Sequence, residues 1–141
     1  MTSTMLPLLL DTHAAVWFFE NKPLARTADD TIDQASRDGT PVLVSPITAW
    51  EIGQLASRGR IDLSAAPHRW FAGLLAKPGI QLAELSPEIL IAASFLPGTP
   101  PRDPMDRILI ATARELAATL VTRDRAIIAY GEQGNVSVVG C

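Results

Sequence analysis

Only one cysteine occurs among 141 residues, and it is the last, Cys141. A disulfide framework and a cysteine-based zinc site are both excluded. Lysine is nearly as scarce, with Lys22 and Lys77 set against ten arginines. The formal net charge is −3 and the pI about 5.3. That argues against a sequence-independent coat for nucleic acid, which needs a basic surface. Arginine is the better residue for bidentate phosphate contacts, so a locally basic rim on an acidic protein stays compatible with these numbers. An acidic total also arises when acids are gathered around a metal ion. Long apolar runs are missing too. Met5–Leu10 is far too short to cross a bilayer, and no charged n-region precedes it, so a soluble, untargeted, cytoplasmic protein without a membrane role is expected.

What is present suits one folded domain spanning the chain. Apolar residues make up 48% and charged residues 19%, enough to bury a real core at this length. There are no repeats, low-complexity tracts or internal linkers. Five short apolar or β-branched runs end in turn residues: "LPLLLDTH", "TPVLVSP", "GIQLAELSP", "ATLVTRD" and "NVSVVGC". Helical patterns over 14–19, 25–37, 47–57, 67–75, 88–96, 104–118 and 125–130 separate them. Strands alternating with helices predict an α/β fold whose parallel sheet is covered on both faces. Such sheets carry ligands beyond the C-terminal strand ends, at the point where strand order reverses.

The acids fall there. Asp11 ends the first strand run and Asp124 the fourth. In "RDPMDRILIATA", Asp103 precedes Pro104 and reads as a helix cap, while Asp106 is the third helical residue. Glu51 lies on the helix after the second strand, six residues beyond Ser45, its expected N-cap. In that helix Ile47, Trp50, Ile52 and Leu55 are expected to face the core, with Thr48, Glu51 and Gln54 on another flank. Each acid taken singly has an ordinary reading, because a carboxylate at a helix N-terminus gains about 0.3–1 kcal/mol. Two carboxylates about 4 Å apart repel by roughly 4 kcal/mol at an effective dielectric near 20. Four together therefore imply shared protons or a bound cation. Oxygen-only ligands point to Mg²⁺, with Mn²⁺ as a substitute.

"LLLDTHAAVW", "VSPITAWEIGQL", "RDPMDRILIATA" and "LVTRD" stand in order along the chain, and together they resemble the motifs of PIN-domain ribonucleases, closest to VapC-type toxins. The likeness runs from Leu8 to about Val139. It implies a three-layer α/β/α domain with a central, mainly parallel sheet of about five strands. It also implies a Mg²⁺-dependent endoribonuclease restrained by a VapB-like antitoxin and forming a homodimer. The family's acidic quartet falls on Asp11, Glu51, Asp106 and Asp124, with Asp11 and Asp106 at the usual metal-ligand positions and all four in the metal site. Thr12, Thr48, Arg107 and Thr122 match positions that support the carboxylates or the substrate phosphate. His13 stands where many family members have Asn or Ser; a subgroup shares the D-T-H form, and a histidine packed in the first helical turn is the simpler reading.

In the mechanism so implied, a bound ion would supply polarisation of the scissile phosphate and a water of lowered pKa for in-line attack, which would leave a 5′-phosphate on the product RNA. His13 and His68 lie in different motifs, unlike the paired histidines of metal-free ribonucleases. The rival readings are a Mg²⁺-dependent α/β phosphohydrolase and a PIN-like RNA-binding module without catalysis. Haloacid-dehalogenase-like phosphatases want an Asp where His13 stands, receiver domains want a late Lys, and no G-x-x-x-x-G-K is present for a nucleotide loop. A module that only binds has no need of four mutually repelling carboxylates. Trp17-Phe18-Phe19 crowds one short helix, so part of that surface is expected to face a partner. Arg58, Arg60 and Arg69 are candidates for an RNA rim.

Overall fold

The computed structural model describes residues 5–141. Five strands, β1 (Leu8–Leu10), β2 (Val42–Val44), β3 (Ile80–Leu82), β4 (Thr119–Thr122) and β5 (Val138–Gly140), alternate with helices. These are α1 (Thr12–Phe19), α2 (Arg26–Asp38), α3 (Pro46–Ser57), α4 (Pro67–Ala76), α5 (Pro87–Ala92), α6 (Pro104–Glu115) and α7 (Arg125–Glu132). Every pairing is parallel and the strand order is β3-β2-β1-β4-β5. The chain winds outward from β1 to β3, then returns to lay β4 against the other side of β1. Order therefore reverses between β1 and β4.

Period-two alternation divides the core. Leu8 and Leu10 face the layer built by α1, α2, Ile52 of α3 and Trp70 and Leu74 of α4. Leu9 and Leu120 face the layer of Leu109, Ile110 and Ala113 of α6 with Ile127 and Tyr130 of α7. The predicted three-layer α/β/α arrangement is the one observed. Among the described residues no helix is long and apolar enough to cross a membrane.

Local chemistry sets the helix starts. Ser45, Ser86 and Asp103 each precede a proline at the first helical position, and each side chain accepts a hydrogen bond from an amide of the first turn, at 3.1, 3.2 and 3.0 Å. Helix ends follow the sequence pattern less closely. The patterns over 88–96 and 104–118 run past the helices they mark. α5 stops at Ala92, and α6 stops at Glu115 because Ala117 turns left-handed (φ 50°) to feed β4. β3 ends at Leu82, well short of Ser86.

Trp50 corrects a sequence expectation. It is 57% exposed, whereas Ile52 and Thr48 are buried. At about 100° per residue, positions 50 and 52 lie roughly 200° apart, so both cannot face one core. The tryptophan that is buried is Trp70, at 1% exposure, packed edge-to-face on Phe19 with centroids 5.2 Å apart. The aromatics of α1 are half-buried against the same layer; Lys77 lies over Phe18 and Phe19, and Arg123 over Trp17 at 4.6 Å.

One polar contact locks Trp70 in place. Its indole N–H donates to Glu20 Oε1 at 2.9 Å, and the Ser64 amide donates to the same oxygen at 2.9 Å. The Ser64 amide first, and the indole with it, hold the Glu20 carboxyl below the usual range. Glu20→Ala leaves the indole N–H of buried Trp70 without its acceptor, while the exposed Ser64 amide turns to water. We expect it to cost about 1–2 kcal/mol, the lower part of the range for an unsatisfied donor because Glu20 is only half-buried. That is a fall of roughly 3–6 °C in Tm for a domain of this size, readable by thermal melts, with the acid cavity unaffected.

Candidate active site

Beyond the C-terminal ends of β1 and β4, a cavity of about 350 Å³ is lined by Asp11, Glu51, Asp103, Asp106 and Asp124 together with His13. Each acid arrives from a different part of the winding. Asp11 directly follows β1 and caps α1, its Oδ1 accepting from the Ala14 amide at 2.8 Å. Asp124 follows β4 and caps α7 through the Ile127 amide at 3.0 Å. Asp103 and Asp106 come from the start of α6, and Glu51 from the second turn of α3. Capping and lining the cavity are thus not exclusive: Asp11, Asp103 and Asp124 do both.

Thr122 ties the two central strands together at this edge. Its hydroxyl donates to Asp11 Oδ2 and accepts from the Asp124 amide at 3.0 Å. Thr12 also lines the cavity; its Oγ1 and that of Thr48 are buried with no hydrogen-bond partner among the described residues. Thr48 lies outside the cavity lining. Arg107 turns elsewhere. Its guanidinium donates to the carbonyls of Ala93 (2.9 Å), Pro101 (3.3 Å) and Ser94 (3.4 Å), fastening the α5–α6 connection rather than reaching the acids. As the neighbour of Asp106 on a helix, it is rotated by about 100° from it. His13 is exposed at the cavity in the first turn of α1. Two charged lining residues, besides the apolar Leu109, escape a reading of the sequence. Asp103 reads there only as a cap, and Arg123 is flanked in "TRD" by the two residues that carry the motif.

The electrostatics follow from this crowding. Burial raises the Asp11 carboxyl above its ordinary range and Glu51 adds to the rise, while the Thr122 hydroxyl, the Ala14 amide and His13 oppose it. Asp106 is pushed up to about 7, first by burial and then by the negative charges of Asp124, Asp103, Glu51 and Asp11. Among the described residues no three His, Cys, Asp or Glu side chains meet at ligating spacing; the acids line the cavity without closing a shell. The donor set nevertheless fits a hard cation, since carboxylate oxygens dominate it and no thiolate lines it.

A raised carboxyl pKa has a definite stability consequence. The metal-free fold holds the Asp106 proton more tightly than the unfolded chain does. The associated stability is fully present below about pH 4 and is lost as pH rises to about 7. We expect the Tm of metal-free protein to fall between pH 5 and pH 8, and Asp106→Asn to flatten that slope. An unchanged slope in the variant would place the titration on another group.

The PIN domain profile matches residues 8–133. The chain is 31% identical over 135 residues to Ribonuclease VapC22 of Mycobacterium tuberculosis, covering 95% of this chain and 99% of that protein. The fold is similar to that in the VapBC2 structure from Rickettsia felis bound to a promoter DNA fragment, with a TM-score of 0.67 and 13% identity over 96% of this chain and 98% of that one. It is also similar to FitAcB from Neisseria gonorrhoeae, with a TM-score of 0.51 and 19% identity over 93% and 95% of the two chains. With nearly the whole chain matched at both levels, the protein belongs to the PIN-domain family, within its VapC-like group.

Proposed function

We propose that this protein is a Mg²⁺-dependent endoribonuclease and the toxin of a toxin–antitoxin pair, acting in the cytoplasm. The observation that carries the reading is the one cavity lined by Asp11, Glu51, Asp106 and Asp124, with Asp106 raised to about 7 by burial and then by the negative charges around it. Such mutual repulsion is relieved by a cation. Asp11 and Asp106 would hold the ion, and Glu51 and Asp124 would complete its surroundings directly or through water. When bound, the metal supplies Lewis-acid polarisation of the scissile phosphate and a water of lowered pKa. Thr122 orients Asp11 through its hydroxyl and steadies the Asp124 turn through that residue's amide. Thr12, whose hydroxyl has no partner among the described residues, lines the same cavity.

The surroundings suit partners as well as substrate. A groove of about 550 Å³ shares Glu51 and Asp103 with the acid cavity and is walled by Ile47, Trp50, Met105 and Ile108. A VapB-like antitoxin segment would lay apolar side chains there and reach an Arg or Lys toward the acids. Leu90, Ile91 and Phe95, exposed by 43%, 62% and 80% on and after α5, form a face for a homodimer.

The test is cleavage of single-stranded RNA by purified protein. Mg²⁺ or Mn²⁺ should support it, EDTA should abolish it, Zn²⁺ should be no better an activator, and the products should carry 5′-phosphates. Undiminished cleavage in EDTA, or cyclic phosphate ends, would overturn the metal mechanism. Failure of a co-expressed neighbouring antitoxin to relieve growth arrest would remove the toxin reading and leave the nuclease standing.

A further inference from the structure

A second cavity, of about 270 Å³, adjoins the acid cavity and shares Thr12 and His13 with it. Its apolar lining comes from Val16 and Trp17 of α1, Leu55 of α3 and Ile61; Lys22 and Arg60 supply two cations, and Asp62 is the one acid. Val16 and Thr12 are buried, at 4% and 3% exposure, whereas His13, Lys22, Arg60 and Asp62 are exposed.

Three features give this cavity a ligand class. Its cations stand in no ion pair, Lys22 acting on the Glu20 carboxylate only at longer range. Neither Lys22 nor Arg60 has a carboxylate within ion-pair distance among the described residues, whose single ion pair joins Arg26 to Asp30. Its buried hydroxyl, Thr12 Oγ1, has no hydrogen-bond partner among the described residues. Its aromatic wall, Trp17, carries Arg123 over the ring at 4.6 Å, and Arg123 itself lines the acid cavity. A polyanion entering the acid cavity meets five carboxylates there, so its neighbouring phosphate must find positive charge close by. The volume lies near the lower end for small-ligand pockets, roughly 300 Å³, which suits one nucleotide and not a duplex.

We propose that this cavity is a subsite for the RNA nucleotide next to the scissile phosphate. Lys22 and Arg60 take its phosphate, the Thr12 hydroxyl hydrogen-bonds the sugar–phosphate backbone, and the apolar walls receive the base. The proposal rests on the ribonuclease reading above and assigns substrate positioning to residues outside the acid quartet.

The test uses the full-length protein with Lys22→Ala, Arg60→Ala and their combination, and Lys22→Arg as the charge-conserving control. Single-stranded oligonucleotides with one cleavable bond are lengthened or shortened by one nucleotide on either side of it. The double variant should raise KM by about tenfold with kcat changed less than about threefold, as expected when phosphate binding shared equally by ground and transition states is removed. Its slope of log affinity against log salt, measured by anisotropy in an Asp106→Asn background that blocks turnover, should fall by about 0.7 for each phosphate no longer neutralised. The KM effect should vanish for oligonucleotides that lack the nucleotide on one side of the cut, and Lys22→Arg should behave as wild type. Unchanged KM and salt slope would overturn the proposal, as would a loss confined to kcat or to antitoxin affinity. A wild-type protein that cuts no RNA would instead defeat the ribonuclease reading, while the salt slopes would still report on this subsite.

Discussion

Asp106→Asn should abolish RNA cleavage while leaving the fold intact, and Asp103→Asn, three residues earlier, should leave cleavage nearly unchanged. The two acids open the same helix and line the same cavity, but their carboxylates do different work. Asp103 accepts the Asp106 amide at 3.0 Å and is exposed, and Asn caps a helix about as well. The Asp106 carboxyl makes no hydrogen bond among the described residues and carries the pKa of about 7, so its charge is what the cavity gains from it. Losing a group that merely orients a metal ligand costs about 10–100-fold; losing the ligating charge should exceed the upper end of that range. The Tm of metal-free Asp106→Asn should equal or exceed that of wild type at pH 8, because one repelling carboxylate has gone. Added Mg²⁺, which should raise the wild-type Tm by mass action, should have less effect on the variant. Wild-type cleavage by Asp106→Asn would reassign the ligand. A drop in Tm with cleavage retained would make Asp106 a structural residue.

Thr122→Val should have the next largest effect. Valine matches threonine in shape but removes the one hydroxyl that both donates to Asp11 and accepts from the Asp124 amide. With Thr122 fully buried, the Asp124 amide loses its hydroxyl acceptor and Asp11 an oxygen partner, at about 1–3 kcal/mol. Cleavage should fall about 10–100-fold through misorientation of Asp11, with higher Mg²⁺ needed for half-maximal rate. Thr122→Ser, which keeps the hydroxyl, should recover most of the rate. If Val and Ser variants lose activity equally, the methyl packing matters and the hydrogen bond does not.

Much of this arrangement is legible in the sequence because it is encoded by local rules. Ser or Asp before Pro marks helix starts, β-branched runs between turn residues mark strands, and their alternation dictates a parallel sheet whose C-terminal edge gathers whatever follows each strand. Asp11 and Asp124 are brought together by that logic, and Asp106 joins them because the helix that feeds β4 starts at the same edge. What is not legible depends on which way a side chain points within an element. Trp50 looks like core beside Ile52, yet helical rotation sends it outward. Arg107 matches a family position that supports the carboxylates or the substrate phosphate, but three carbonyls of the α5–α6 connection hold its guanidinium, and no pattern in that connection announces them. The cation cavity is partly visible, since Arg60 reads as rim. Its partner Lys22 does not, because only the turn after α1 carries Lys22 back to Thr12 and His13.

The central position of β1, flanked by β2 and β4, also has a consequence for biosynthesis. Asp11 is made early and Thr122, which holds it, 111 residues later. The pairing of β1 with β4 spans nearly the whole chain, the kind of contact that forms slowly and last. At about 5–20 residues per second, the ribosome carries Asp11 for several seconds before its partner strand exists. A chain that stops short of β4 already holds Asp11, Glu51, Asp103 and Asp106 but lacks Thr122, Arg123 and Asp124, so nothing yet fixes the Asp11 carboxylate through its Oδ2. The acid cavity is therefore completed only when β4 and the start of α7 join a sheet whose β1 was made first.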